Sequence, residues 1–175
     1  MNSLTPIIRP ATASDLEKTI AMHLRCSADT LSRRYGARAN EALGKLVRPL
    51  FAGGTDTLVA ESLDGEIVAI GHLIGDGYTA RVGLLVEDVW QGRGLGTILF
   101  RDLITGAEEE GFATVTVRCP SEDTRIRRIL RHLGVIPVPD EATGPPTAVI
   151  DMLVPLSWTA GERAWTVSEE RVSGP

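Results

Sequence analysis

The chain is short of cysteine, of long apolar runs and of basic excess, and each shortage removes a class of protein. Its 175 residues include two cysteines, Cys26 and Cys119, far apart and without metal-ligand spacing, so neither a disulfide framework nor a cysteine metal site is expected. Both read as small buried apolar side chains. No stretch approaches the ~18 consecutive apolar residues of a membrane-spanning helix. Met1 to Pro10 lacks the basic start and apolar run of a secretory signal, so the expected setting is cytoplasmic. Basic residues are outnumbered, 18 Lys and Arg against 23 Asp and Glu, for a net charge of −5. Nucleic-acid binders carry a basic face, so this balance argues against one. It favours solubility and leans slightly toward a cationic partner. The interior has no repeat, low-complexity tract or linker.

What is present is ordinary globular composition, 43% apolar and 23% charged, in a length suited to one domain with one sizeable core. The domain is expected over residues 1–156. From Ser157 to Pro175 periodicity is lost, and a loosely held tail is expected, with Trp158 and Trp165 as its anchors. Thr5 to Pro10 reads as a first strand. Thr12-Ala-Ser-Asp15 reads as a helix start, followed at helical spacing by Leu16, Ile20, His23 and Leu24. Glu41 to Phe51 predicts a second helix. Thr57–Leu63 and Glu66–Ile74 flank Asp64-Gly65 as a hairpin. Arg81 to Val86 reads as a buried strand and Leu95 to Glu110 as a helix. Thr114 to Cys119 follows as a strand, then a helix carrying Ile126, Ile129, Leu130 and Leu133, then a last strand from Ala148 to Leu156. The predicted fold class is α/β (α+β), a mixed, mostly antiparallel central sheet flanked by helices.

The chemistry concentrates in Val82 to Thr97. A buried strand ends at Val86, and Gln91-Gly-Arg-Gly-Leu-Gly96 opens a helix. Alternating glycines let a backbone approach an anion and turn several N–H groups toward it, and the helix N-terminus adds positive potential. Arg93 supplies a mobile positive charge. A Walker-type loop would end in Gly-Lys-Ser/Thr, which is absent. A dinucleotide fingerprint would space its glycines G-x-G-x-x-G, whereas Thr97 stands where the third belongs. The plain alternative is a glycine-rich turn with no ligand.

The remaining pattern, Q-x-x-G-x-G after a strand and at a helix start, resembles the acyl-CoA-binding motif of the GNAT superfamily of N-acetyltransferases. The surrounding order of elements extends the resemblance over roughly residues 5 to 156. A second run, Cys26-Ser-Ala-Asp-Thr-Leu-Ser-Arg-Arg-Tyr35, is similar to a segment of bacterial protein-lysine acetyltransferases in that superfamily. The resemblance implies an N-acetyltransferase with acetyl-CoA as co-substrate and an amine acceptor, either a protein lysine or a small amine. It implies that backbone groups of Leu84, Leu85 and Val86 pair with the pantetheine arm. Amides of Gln91, Gly92, Arg93, Gly94, Leu95, Gly96 and Thr97 would hold the pyrophosphate. Family members often dimerise, although no surface in this sequence marks itself as an interface.

Two departures accompany the resemblance. The tyrosine that protonates the departing thiolate in the family falls on Leu130, and the asparagine at the start of that helix falls on Asp123; solvent or Ser121 is the substitute donor. The glutamate that serves related lysine acetyltransferases falls on Arg81. Candidates for the base are therefore His72 in the third strand, Glu61 in the second and Glu87 just past the fourth. His72 alternates with Val68, Ile70 and Ile74, so a core histidine is its plain reading, as it is for His23 on the first helix. Glu87-Asp88 also reads as a solvated turn. Arg125, Arg127, Arg128 and Arg131 suit either a solvated helix face or the CoA phosphates. The competing function is a fold that keeps CoA binding and has lost chemistry, serving as a sensor or interaction module.

Overall fold

A computed structural model describes residues 5–53, 55–120, 124–133, 138–139 and 149–155; Ser121, Asp123 and the predicted tail lie outside them. The chain runs β1 (Ile7–Pro10), α1 (Leu16–Arg25), α2 (Ala28–Tyr35), α3 (Leu43–Val47), β2 (Thr55–Glu61), β3 (Ile67–Asp76) and β4 (Thr79–Val86). It continues as α4 (Leu95–Glu109), β5 (Thr114–Pro120), α5 (Thr124–His132), β6 (Val138–Pro139) and β7 (Val149–Pro155). The strands form one sheet in the order β1-β2-β3-β4-β5-β7-β6. Every neighbouring pair is antiparallel except β4–β5. That parallel pair needs a crossover, and α4 supplies it. The predicted class of fold is therefore present. None of the described helices is long and apolar enough to cross a membrane.

Three expectations are corrected. The predicted helix Glu41–Phe51 is cut at Pro49, which offers no N–H; α3 ends at Val47 and Arg48–Phe51 tightens into a 3-10 turn. On α1 the buried stripe is Thr19, Met22 and His23, while Leu24 is 73% exposed. Val68 does not share the face of Ile70. The β2–β3 register shifts between Ala60 and Glu61, which pair with Ala69 and Ile67, so Val68 is the extra residue of a bulge that reverses the alternation. It packs with Leu95 and Leu99, whereas Ile67 and Ile70 pack with Met22 and Leu85.

The sheet thus has two covered faces. On one, Phe100, Leu103, Ile104 and Ala107 of α4 and Ile126 and Leu130 of α5 bury Ala80, Val82, Val115 and Val117. On the other, α1 and the turn at Leu50 cover Val59, Ile67, Ile70 and Leu85. Each such large side chain contributes about 1.5–3 kcal/mol on burial.

The feature that positions a site lies between β4 and β5. Their parallel register runs from Thr79↔Thr114 to Val82↔Val117 and stops. Past that point β4 keeps its pairing to β3 as far as Val86, while β5 keeps its pairing to β7 as far as Pro120. The two strands part, and a notch opens within the sheet.

Candidate active site

The notch widens into a cleft of about 860 Å³, walled by Val82 to Val86 of β4, Val117 of β5, the turn after β4, and faces of α2 and α5. Ladder parity fixes which backbone groups of β4 look into it. The Glu87 N–H donates to the Val68 carbonyl, so Glu87, Leu85 and Gly83 direct their polar groups at β3. Leu84 and Val86 direct theirs at the open side. The side chain of Leu85 is buried among Met22 and Ile70.

At the mouth, the turn presents a row of backbone N–H groups of the kind that suits an anion. The amides of Trp90 and Gln91 bond back to Glu87 and Asp88, and those of Thr97 and Ile98 to Gly94. Among the described residues the N–H groups of Gly92, Arg93, Gly94, Leu95 and Gly96 have no acceptor, and they stand at the positive end of a 15-residue helix. Gly92 and Gly94 take φ of +75° and +82°, a region that side chains disfavour. Gly96 serves space instead: a Cβ there would lie 3.3 Å from Ile129 Cδ1. Leu95 is buried against Leu99 and contributes its amide alone. Arg93, expected as a mobile charge, stacks 5.0 Å from the Trp90 ring centroid.

A hydrogen-bonded clasp ties this turn to α2. Ser27, the N-cap of α2, donates to Asp88 through both its amide and its hydroxyl, each at 2.8 Å. Thr30 Oγ1 donates to Asp88 at 2.8 Å and accepts from Gln91 Nε2 at 3.2 Å. The same Gln91 amide donates to the Val86 carbonyl at 2.9 Å. Burial works against the Asp88 carboxylate, but the donors from Ser27 and Thr30 outweigh it and hold its pKa below the ordinary value.

One turn further along α2, Arg34 reaches over Gly83. Its Nη2 donates to His72 Nε2 at 2.9 Å, and its guanidinium lies 4.9 Å from the Tyr35 ring centroid. A guanidinium has no lone pair to offer, so the imidazole must accept, which makes it neutral with its proton on Nδ1. Burial, then the charge of Arg34, drives the His72 pKa well below its usual value. A Cβ on Gly83 would lie 2.6 Å from His72 Cε1 and closer still to Arg34 Nη2.

No family model matches the chain. A 135-residue stretch is 27% identical to acetyltransferase Pat of Mycolicibacterium smegmatis, covering 74% of this chain and 40% of that protein. The chain thus spans about two fifths of the length of that curated relative. The GNAT domain of S. lividans PAT superposes with a TM-score of 0.72 at 21% identity, over 85% of this chain and 89% of that one. The chain has the GNAT fold. A GNAT phosphinothricin acetyltransferase from Sinorhizobium meliloti, solved in complex with acetyl-CoA, superposes with a TM-score of 0.67 at 16% identity, over 86% and 88% of the two chains.

Within this GNAT fold the three candidate bases fall in different places. His72 lies behind Arg34 with its lone pair engaged. Glu61 lies away from the cleft, held by Arg9 at 2.8 Å and Lys18 at 3.3 Å; Arg9, then Lys18, pulls its pKa below the ordinary value. Glu87 is buried and accepts from Arg25 Nε and Nη2 at 3.0 and 2.9 Å. Leu130 is fully buried in the core and Arg81 is exposed. His23 is a satisfied core histidine, donating from Nδ1 to the Thr19 carbonyl and accepting from the Tyr35 hydroxyl, both at 2.7 Å. Of the α5 arginines, Arg125 and Arg128 line the cleft, together with His132. Sequence reasoning passed over Thr30, Gly83, Arg34 and the clasp role of Asp88. The usable signal was the i, i+4 spacing of Thr30 and Arg34 in a run already singled out.

Proposed function

We propose that the chain is an acetyl-CoA-dependent N-acetyltransferase that moves the acetyl group directly to an amine. The observation that carries this reading is the joining of two features in one cleft: a strand edge left open by the parting of β4 and β5, and a turn of unpaired amides at the α4 N-terminus. The open groups of Leu84 and the N–H of Val86, whose carbonyl is already held by Gln91, suit the amides of a pantetheine arm, laid along the edge as an added strand. The amides from Gly92 to Gly96 suit a pyrophosphate. Arg125 and Arg128 face the same cleft and add positive potential for a polyanionic donor. The amine attacks the thioester carbonyl, the C–N bond forms, and the C–S bond breaks to release the CoA thiolate.

Glu61 and Glu87 are held in ion pairs and His72 is bonded to Arg34, so we assign the amine proton to solvent and most of the acceleration to positioning. Calorimetric titration with acetyl-CoA, with ATP as control, tests the donor site; affinity no better than that for ATP removes it. Gly94→Glu puts a side chain at φ +82° and a negative charge in the anion site. Affinity is expected to fall about 100-fold or more, and a folded variant with unchanged affinity would displace the donor from this turn.

A second reading has one observation in its favour. Leu130 occupies the position of the family's acid and is sealed in the core, which suits a module that binds CoA without using it. Release of free thiol in the presence of an amine panel separates the two readings.

A further inference from the structure

The arginines of this chain meet carboxylates almost wherever they turn inward: Arg9 with Asp15 and Glu61, Arg25 with Glu87. Even surface arginines do so, Arg33 with Asp29 and Arg38 with Glu41. Arg34 does not. Its partners are a neutral imidazole and the face of a tyrosine ring, and the cleft it lines contains no aspartate or glutamate among the described residues. Arg34 is half-buried, and a cation drawn partly out of water without an anion is costly. The fold nevertheless makes room for it, because any side chain at Gly83 would strike its Nη2.

The location of this charge is as informative as its isolation. Gly83 follows Val82, the last residue of β4 paired with β5, so Arg34 stands at the narrow end of the notch. The anion-binding turn stands at the other end. A donor laid along β4 from that turn, through Val86 and Leu84, therefore brings its reactive end toward Arg34. The bond to His72 occupies Nη2 and fixes the guanidinium, while Nε and Nη1 have no acceptor among the described residues.

We propose that Arg34 binds a carboxylate of the acceptor, so that the amine acetylated belongs to a small amino-carboxylate compound rather than to a polyamine or a lysine-rich peptide. This rests on the acetyltransferase reading above. The guanidinium grips the carboxylate through two parallel hydrogen bonds and thereby sets the neighbouring amine beside the thioester. His72 is a positioning residue for that grip.

The test uses the full chain, acetyl-CoA, and thiol release with free amino acids and ω-amino acids matched against their carboxamides, with spermidine and a blocked lysine-rich peptide alongside. Carboxylates are expected to exceed their carboxamides by about 100-fold or more in kcat/KM, chiefly through KM, because the amide leaves the cleft cation unpaired once the bound substrate covers it. Arg34→Gln is expected to erase that preference, to leave acetyl-CoA affinity unchanged in calorimetry, and to keep or raise Tm. Arg34→Lys restores part of the preference. Equal use of carboxamides, spermidine or the lysine peptide overturns the proposal. So does Arg34→Gln weakening acetyl-CoA, which would assign the guanidinium to the donor. A lowered Tm with the preference intact makes Arg34 a structural residue and equally overturns it. Should acetyl-CoA not bind at all, the acetyltransferase reading fails separately. The carboxylate site is then read by calorimetry with N-acetyl amino acids against their carboxamides, and a wild-type response equal to that of Arg34→Gln overturns it.

Discussion

Around β1 and the start of α1, Arg9 is met by Asp15 at 2.7 Å and by Glu61 at 2.8 Å, and Lys18 joins Glu61 at 3.3 Å. Across the sheet, in the notch between β4 and β5, Arg34 is met by an imidazole and an aromatic face. The first cluster is closed: each carboxylate oxygen that leaves water finds a donor, and Asp15 also accepts from the Thr12 amide to start the helix. The second is open: the imidazole accepts one bond, and no carboxylate among the described residues lines the cleft. The charges that build the first cluster are spent on each other, whereas Arg34 in the cleft has no carboxylate among the described residues. The net charge of −5 therefore describes the outside of the molecule and says little about the cleft.

The comparison can be broken most forcefully at its closed end. Asp15→Ala removes a carboxylate that is 3% exposed and leaves Arg9 with Glu61 alone, so the fold should lose about 3 kcal/mol in urea denaturation, the helix-start bond to the Thr12 amide going with it. A loss below about 1 kcal/mol would put this network among ordinary surface pairs. At the open end, Gly83→Ala places a methyl where the guanidinium sits. We expect about 2 kcal/mol of destabilisation together with a raised acceptor KM; an unchanged KM would show that Arg34 can leave its seat freely.

A change of pH, with no substitution at all, sharpens the contrast further. Burial lowers the pKa of both His23 and His72, so the unfolded chain takes up protons near pH 6.5 that the folded chain refuses. Their contribution is complete above that value and is lost as pH falls below it, with a slope of at most about 1.4 kcal/mol per pH unit for each histidine. Urea midpoints between pH 7.5 and 5 should decline on acidification, and His72→Asn should flatten the decline. A wild-type midpoint that holds steady across that range would contradict the neutral assignment of both rings.

Where the backbone itself is constrained, the sequence was readable. The hairpin around Asp64-Gly65 and the Gln91–Gly96 turn leave glycines at fixed offsets, and α4 repeats its apolar stripe over four turns. The misreadings have physical causes of another kind. The helix α2 has a single core-packed aliphatic side chain, Leu31, and is tied down by Ser27, Thr30 and Asp88 rather than by an apolar stripe, so periodicity passes over it. Pro49 and the bulge at Val68 each reset a regular pattern by one residue. Glu61 and Glu87 looked available because the arginines that engage them are 52 and 62 positions away. The isolation of Arg34 is a property of its neighbours in space, which no local pattern encodes.

Mechanically, the sheet is two plates. Four strands from β1 to β4 make one and three strands from β5 to β6 the other, stitched by a seam of four residue pairs. Two threonine contacts reinforce the stitching, Thr79 with Thr114 at 2.9 Å and Thr116 to the Ala80 carbonyl at 3.2 Å. An extended molecule wedged into the notch would lengthen that seam, adding hydrogen bonds where the plates otherwise gape. Any force that pries the plates apart is concentrated at the tip of the notch, at Val82 and Val117, so the opening proposed for the donor is also where the sheet is weakest.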